Sequence, residues 1–161
     1  MEETPSLPPE IEIPEGMYPS RMDDRGRVKF PVLIQKYLEK FEDKRLFVTS
    51  LDRRIAQVYP ITYWKQTKKF MENYTKDPKV AKHMAFNAAD LGAVTEMDSQ
   101  ARVLFSPELR RALKMEEQAV HMYAYRGHIK VFTQAVYEED QIASAANSTR
   151  ELEQLDQEGM Q

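Results

Sequence analysis

The chain has no cysteine in its 161 residues, which removes disulfides and thiolate metal sites from consideration. Glycine is scarce, with five in all, so neither a glycine-rich phosphate loop nor a Gly-x-Ser-x-Gly elbow occurs. No apolar run approaches the roughly 20 residues that a membrane-spanning helix needs. The first fifteen residues hold five acids and no base, unlike the basic start of a secretory leader. The histidines His83, His121 and His128 are not at metal-ligand spacing with one another or with carboxylates; each reads as a partly exposed structural residue. These absences argue against an enzyme, a cofactor, a metal, a small-molecule substrate and a membrane partner. They predict a soluble cytoplasmic protein of one domain, or two small halves sharing a core.

Charge of one sign is lacking at both ends. The formal net charge is −3, yet residues 1–15 carry no base and residues 138–161 carry seven acids against Arg150 alone. Of the 23 basic residues 22 lie between 16 and 137, with 14 of the 26 acids, so this body carries +8. A solvated surface with acidic, solubilising tails accounts for that count by itself. A polyanion-binding body is the sharper reading.

What the chain does contain is a repeat. The stretch Arg21-Met-Asp-Asp-Arg-Gly-Arg-Val-Lys-Phe-Pro31 recurs as Met97-Asp-Ser-Gln-Ala-Arg-Val-Leu-Phe-Ser-Pro107, 75 positions on. At that offset Met22, Asp23, Arg27, Val28, Phe30 and Leu38 match Met97, Asp98, Arg102, Val103, Phe105 and Leu113. Asp23-Asp-Arg-Gly26 has the composition of a tight turn. After it Val28 and Phe30 alternate with Arg27 and Lys29, so the apolar pair faces inward and the basic pair outward. Pro31 and Pro107 each suit the first turn of a helix, with Leu33, Ile34, Tyr37 and Leu38 inward in the first and Leu109, Ala112 and Leu113 in the second. Each helix leads to a hairpin, Leu46–Val48 into Ile55–Tyr59 and Val120–Tyr123 into Ile129–Phe132, and then to another helix. The unit is strand, strand, helix, strand, strand, helix, made twice. Four-stranded pieces cannot bury both faces alone. The expected fold is therefore α+β, a small barrel closed by two pseudo-two-fold-related halves with flanking helices.

Between the halves, Pro60 opens a helix with Tyr63, Trp64, Thr67, Phe70, Met71 and Tyr74 along one stripe and Lys65, Lys68 and Lys69 opposite. Asp77-Pro78 starts a second helix, expected to end near Ala89, with Val80, Met84 and Ala88 on one face. Packing explains both stripes; a subunit interface is the other reading. A last helix is expected over Gln134–Ala146, followed at 147–161 by a frayed helix or disordered tail with only Leu152 and Leu155 apolar before Met160. Residues 1–15, rich in Pro and Glu, read as extended or disordered, with Gly16 marking the entry to the folded part.

The repeated arginines carry the functional expectation. Arg27 and Arg102 start their strands facing away from the core. Asp23 and Asp98 either cap backbone donors or brace the arginine four residues on. A braced guanidinium can present its fork to O6 and N7 of guanine in the major groove. Arg21, Arg25 and Lys29 extend the same polar face, and Arg25 and Lys29 suit phosphates.

At these residues the chain resembles the MraZ family of bacterial transcriptional regulators, over essentially residues 16–140. The motifs are Asp23-Asp-Arg-Gly-Arg27 and Asp98-Ser-Gln-Ala-Arg102, supported by Val58-Tyr-Pro-Ile-Thr-Tyr-Trp64 and Ser106-Pro-Glu-Leu-Arg110. The resemblance implies tandem AbrB-like swapped-hairpin (double-split) half-domains at 17–62 and 91–137, joined by a helical connector at 63–90. It leaves a disordered acidic, Pro-rich arm at 1–15, and a helix end with an acidic tail at 138–161. It implies ring-shaped homo-oligomers on the nucleoid. These would bind G-rich direct repeats in double-stranded DNA of their own promoter and repress the division and cell-wall gene cluster. Asp23, Arg27, Asp98 and Arg102 inherit the DNA-reading role by motif position, with Arg21, Arg25 and Lys29 beside them. Ala101 stands where the family usually has glycine, and Glu96, Ser99 and Gln100 replace Arg21, Asp24 and Arg25. A ring-forming interaction module without specific DNA binding is the alternative.

Overall fold

The computed structural model describes residues 11–161, and its element order recurs. Strands β1 (Tyr18–Arg21) and β2 (Arg27–Lys29) flank a turn and lead to α1 (Val32–Glu39). The hairpin of β3 (Arg45–Thr49) and β4 (Ala56–Pro60) then runs into α2 (Ile61–Glu72). After α3 (Pro78–Leu91), the order returns as β5 (Ala93–Glu96), β6 (Arg102–Leu104), α4 (Pro107–Leu113), β7 (Ala119–Tyr125), β8 (His128–Thr133) and α5 (Gln134–Ala145), with α6 (Ser148–Gln157) added. Proline sets several helix starts. Pro31 and Pro60 occupy the caps of α1 and α2, and α3 and α4 begin at Pro78 and Pro107, where a missing donor is harmless.

The strands form two antiparallel sheets. One has six strands in the order β1-β7-β8-β4-β3-β5 and the other pairs β2 with β6. The first strand of each repeat leaves its own hairpin for the other's: β1 pairs with β7 through Arg21↔Ala119, and β5 with β3 through Arg45↔Glu96. The pairs β4–β8 and β2–β6, registered at Gln57↔Lys130 and Val28↔Val103, join equivalent strands. The sheet order therefore reads the same when the repeats are exchanged. With its edge strand given away, neither repeat completes a core alone.

The framework is α+β and antiparallel, but the barrel expected from the sequence is not closed: β1 and β5 remain edges of the six-stranded sheet. The cause is local. The chain reverses sharply after Met22 and Met97, and the three-residue strands beyond pair with each other as a separate ribbon. The bridge Met22↔Val28 is the remaining ladder contact between β1 and β2.

The core lies between sheet, ribbon and the short helices. Met22, Val28, Phe30, Val103 and Phe105 have no exposed surface, each contributing on the order of 1.5–3 kcal/mol by burial. Ile34, Tyr37, Leu38, Leu109 and Leu113 close it from α1 and α4, and the Tyr37 hydroxyl donates to the Gly127 carbonyl at 2.7 Å. Leu33 and Ala112, expected inward, are exposed, because helices of eight and seven residues present one narrow stripe to the core. In the connector, Trp64 stacks on Phe47 with centroids 4.4 Å apart, and the Thr49 hydroxyl donates to the Ala88 carbonyl at 2.9 Å. Phe70 and Val80 of the expected stripes are exposed instead. Ile11 is buried and Ile13 packs against the core, ahead of Gly16. The tail expected to be frayed or disordered contains α6, and every residue from 141 to 161 is exposed. The remainder of the acidic arm, residues 1–10, lies outside the described residues.

Candidate DNA interface

Each turn of the ribbon is closed by one carboxylate. Asp23 Oδ1 accepts from the backbone N–H of Arg25 and of Arg27, both at 2.9 Å, while Oδ2 accepts from Arg27 Nε at 2.9 Å. Asp98 does the same with Gln100 N–H, Arg102 N–H and Arg102 Nε, all at 2.9 Å. The backbone N–H of each aspartate donates to the carbonyl of its own arginine, at 2.8 and 2.9 Å. Capping and bracing, alternatives in the sequence, are thus both performed by the same side chain.

Electrostatics follows from that geometry. The Arg27 backbone N–H holds the Asp23 carboxyl below the usual carboxylate range, helped by Arg25 N–H and the Arg27 guanidinium. Arg102 N–H does this for Asp98, with Gln100 N–H and the Arg102 guanidinium. Both carboxylates stay ionised near neutral pH and fix their arginines in one rotamer. Arg27 and Arg102 are each about a quarter exposed. Each ion pair uses Nε, and among the described residues Nη1 and Nη2 of both arginines donate to no other protein group.

The ribbon register aims them. Arg27 lies opposite Leu104, and Lys29 opposite Arg102. Directly opposed residues of an antiparallel pair project to the same face, so Arg27, Lys29, Arg102 and Leu104 form one outer surface while Val28 and Val103 fill the inner one with no exposure. Phe30 N–H donates to the Ala101 carbonyl and Phe105 N–H to the Gly26 carbonyl, both at 2.9 Å. Each turn is thereby stitched to the other repeat's strand, and the two braced arginines are held as one unit. Leu104, 48% exposed, was not singled out by the sequence; its match to Lys29 in the repeat was the available signal.

The remaining predicted site residues are less alike. Arg21 is exposed, but its Nη2 donates to the Glu117 carbonyl at 2.7 Å, so it braces the start of β7. Arg25 and Lys29 are exposed beside Arg27. At the second turn Glu96 lies opposite Arg45, which is itself paired with Asp43 at 2.7 Å. Across the ribbon, Arg110 of α4 lies over Gly26: a Cβ there would come 2.3 Å from its guanidinium carbon. Gly26 has φ +79 and Ala101 φ +62, so alanine occupies in the second turn the left-handed conformation that glycine takes in the first.

Among the described residues, no group of three His, Asp or Glu could hold a metal ion, and no helix is long and apolar enough to cross a membrane. No protein-family model matches the chain. Individual relatives do. It is 31% identical over 111 residues to the transcriptional regulator MraZ of Koribacter versatilis, covering 66% of this chain and 74% of that one. It is 23% identical over 125 residues to the transcriptional regulator MraZ of Acidobacterium capsulatum, covering 78% and 85%. A third, the transcriptional regulator MraZ of Thermomicrobium roseum, is 27% identical over 108 residues, covering 65% and 71%. With a duplicated strand-turn-strand unit, two carboxylate-braced arginines and relatives of one kind along most of its length, the chain belongs to the MraZ family of transcriptional regulators.

Proposed function

We propose that this protein regulates transcription by binding double-stranded DNA in a sequence-specific way through the outer face of the β2–β6 ribbon. The observation that carries the reading is the pair of equivalent brackets: Nε of Arg27 and of Arg102 is tied to a carboxylate, and the rest of each guanidinium points from one face of a two-stranded ribbon. A ribbon of that width fits the major groove, where a guanidinium fork pairs with O6 and N7 of guanine. Arg25 and Lys29 meet the flanking phosphates and set affinity and salt dependence. Two half-domains, 17–62 and 91–137, share the core, and several chains assemble as a ring. Weak contacts per chain then multiply over G-containing direct repeats. By family, the target is the protein's own promoter, ahead of the division and cell-wall genes, and the effect is repression, in the cytoplasm on the nucleoid.

The test is a gel shift with the DNA upstream of the protein's own gene at two salt concentrations, with Arg27→Ala and Arg102→Ala beside the unaltered chain. Binding that falls steeply with salt, and a preference for G-containing repeats that Arg27→Ala flattens, is the expected result. If both variants bind as the unaltered chain does, the residue assignment is wrong. If no DNA is bound at low ionic strength, an interaction module without DNA binding is what remains.

A further inference from the structure

We infer that α6 of one chain docks into the groove between α2 and α3 of a second copy, giving the assembly proposed above its contact; the inference rests on that reading of the protein as an oligomer. Residues 141–161 are exposed throughout, and α6 is ten residues long. An isolated helix of that length is marginal in water, so its persistence calls for a partner surface. Leu152 and Leu155, each 52% exposed, are three residues apart and share a face. Glu151 and Glu158 flank that face on one side and Asp156 on the other. The helix is thus a narrow apolar seam edged with negative charge.

The complementary surface lies on the connector. Met71, Tyr74, Ala81 and Ala85 line a groove between α2 and α3, with Lys68 and Glu72 from one helix and Lys82 from the other, so the lysines outnumber the one acid. Phe70, 69% exposed, extends the apolar surface through a ring contact with Tyr74 at 5.9 Å. An amphipathic helix lies in such a groove by its apolar face, and here lysines on both walls oppose acids on both edges of the seam. Within one chain the leucines of α6 stay open to solvent, and no described residue of α6 lines that groove. A donor helix on one chain and an acceptor groove on the next make a head-to-tail contact, the kind that closes into a ring when the rotation allows.

The absence of cysteine makes the test direct. A full-length chain carrying Leu155→Cys and Ala85→Cys is oxidised mildly and run on a non-reducing gel. Disulfide-linked dimers and higher multimers are expected, with at least a tenfold lower yield from either single substitution. The second arm is sedimentation of Leu152→Glu/Leu155→Glu, a pair of exposed positions whose change leaves the fold intact; the expected outcome is loss of the largest species. A cross-link confined to one chain overturns the inference. So does an oligomer whose size the double glutamate variant leaves unchanged, in which case the assembly stands on another contact. An unaltered chain that sediments as a monomer at every concentration overturns assembly and contact together.

Discussion

The two turns of the ribbon have the same bracket in different electrostatic settings. Every hydrogen bond that the Asp23 carboxylate accepts in its turn has a counterpart of the same length at the Asp98 carboxylate. Around them the resemblance stops. Residues 21–29 hold Arg21, Arg25, Arg27 and Lys29 against Asp23 and Asp24, a net of +2, whereas residues 96–104 hold Arg102 against Glu96 and Asp98, a net of −1. The geometry that aims a guanidinium was kept in both repeats, but the charge that attracts a polyanion was kept in one. Bracing therefore serves the fold in its own right, beside the recognition proposed for it: a carboxylate that caps two backbone donors holds the turn whether or not its arginine meets a base.

The largest effect separates the turns by function. A bidentate arginine–guanine pair discriminates by about 1–3 kcal/mol, roughly 5- to 150-fold for each site, and repetition in an assembly multiplies it. Arg27→Ala is expected to lose that preference in a fluorescence-anisotropy titration with G-containing and scrambled duplexes. Arg102→Ala should lose less, because its own turn has Gln100 where the first has Arg25, and only Lys29, across the ribbon, stands beside it. Equal losses would show that the bracket alone decides recognition and that the surrounding charge is irrelevant.

A smaller effect, on stability, distinguishes Gly26 from Ala101. Both are left-handed, which costs an ordinary residue about 1–2 kcal/mol. Gly26→Ala adds to this a clash with the Arg110 guanidinium, held at 14% side-chain exposure, with its Nε buried and unpartnered among the described residues. Gly26→Ala is expected to lower the urea unfolding free energy by about 2 kcal/mol or more. Ala101→Gly removes strain and adds unfolded-state entropy, so it should move stability by less than about 1 kcal/mol, in the stabilising direction. The repeat counterpart of Arg110 is Gln35, which turns back to donate to the Phe30 carbonyl at 2.5 Å. A shorter residue at that position is what lets the second turn do without glycine. A loss on Ala101→Gly as large as that on Gly26→Ala would refute this account.

Salt dependence sharpens the comparison further. Each phosphate contact removed lowers the slope of log affinity against log salt by about 1. Arg25→Ala and Lys29→Ala should each do so, while Gln100→Ala and Leu104→Ala leave the slope unchanged. The reverse substitutions, Gln100→Arg and Leu104→Lys, should raise it by a similar amount if the second turn also lies along the duplex.

Much of this was legible because two periods run through the chain. The alternation Val28, Phe30 and Val103, Phe105 places all four inside with no exposure and leaves the arginines outside. Asp-x-x-x-Arg, nearly meaningless once, acquired meaning at a fixed offset. Periodicity tells which face is buried, however, and not which strand lies alongside. The exchange of β1 and β5 between hairpins joins residues as distant as Arg21 and Ala119, and no local pattern encodes that. The closed barrel failed for the same reason: closure depends on edge pairing, whereas the sharp turns divert β2 and β6 into a ribbon. Leu33 looked inward by spacing, but Ile34, Tyr37 and Leu38 already fill the stripe α1 can bury. In the site, Arg21 looked like another basic contact because sequence shows its charge and conceals its bond to Glu117.

The smallest effect concerns the carboxylates themselves. Asp23 and Asp98 have their pKa lowered in the folded chain from an ordinary 3.8, chiefly by the backbone N–H of Arg27 and Arg102. A depressed folded value means that the unfolded chain binds protons first as pH falls. The stability these groups contribute is therefore fully present above 3.8 and is lost as pH drops through the folded value. His128 titrates earlier. Burial pushes it down from 6.5 to about 4, where it stacks on Tyr59 at 4.5 Å, so its contribution is already being lost between those limits. The two windows meet near pH 4, and the unaltered chain alone cannot separate them. Asp98→Asn can, because it keeps an acceptor for the backbone donors and removes the titration. Urea unfolding from pH 6 to 3 should show the variant parallel to the unaltered chain down to about 4.5 and flatter below. Asp23→Asn should trace the same curve, since the bracket is the same; a difference between them would mean that the charge around each turn alters the bracket as well as what it touches.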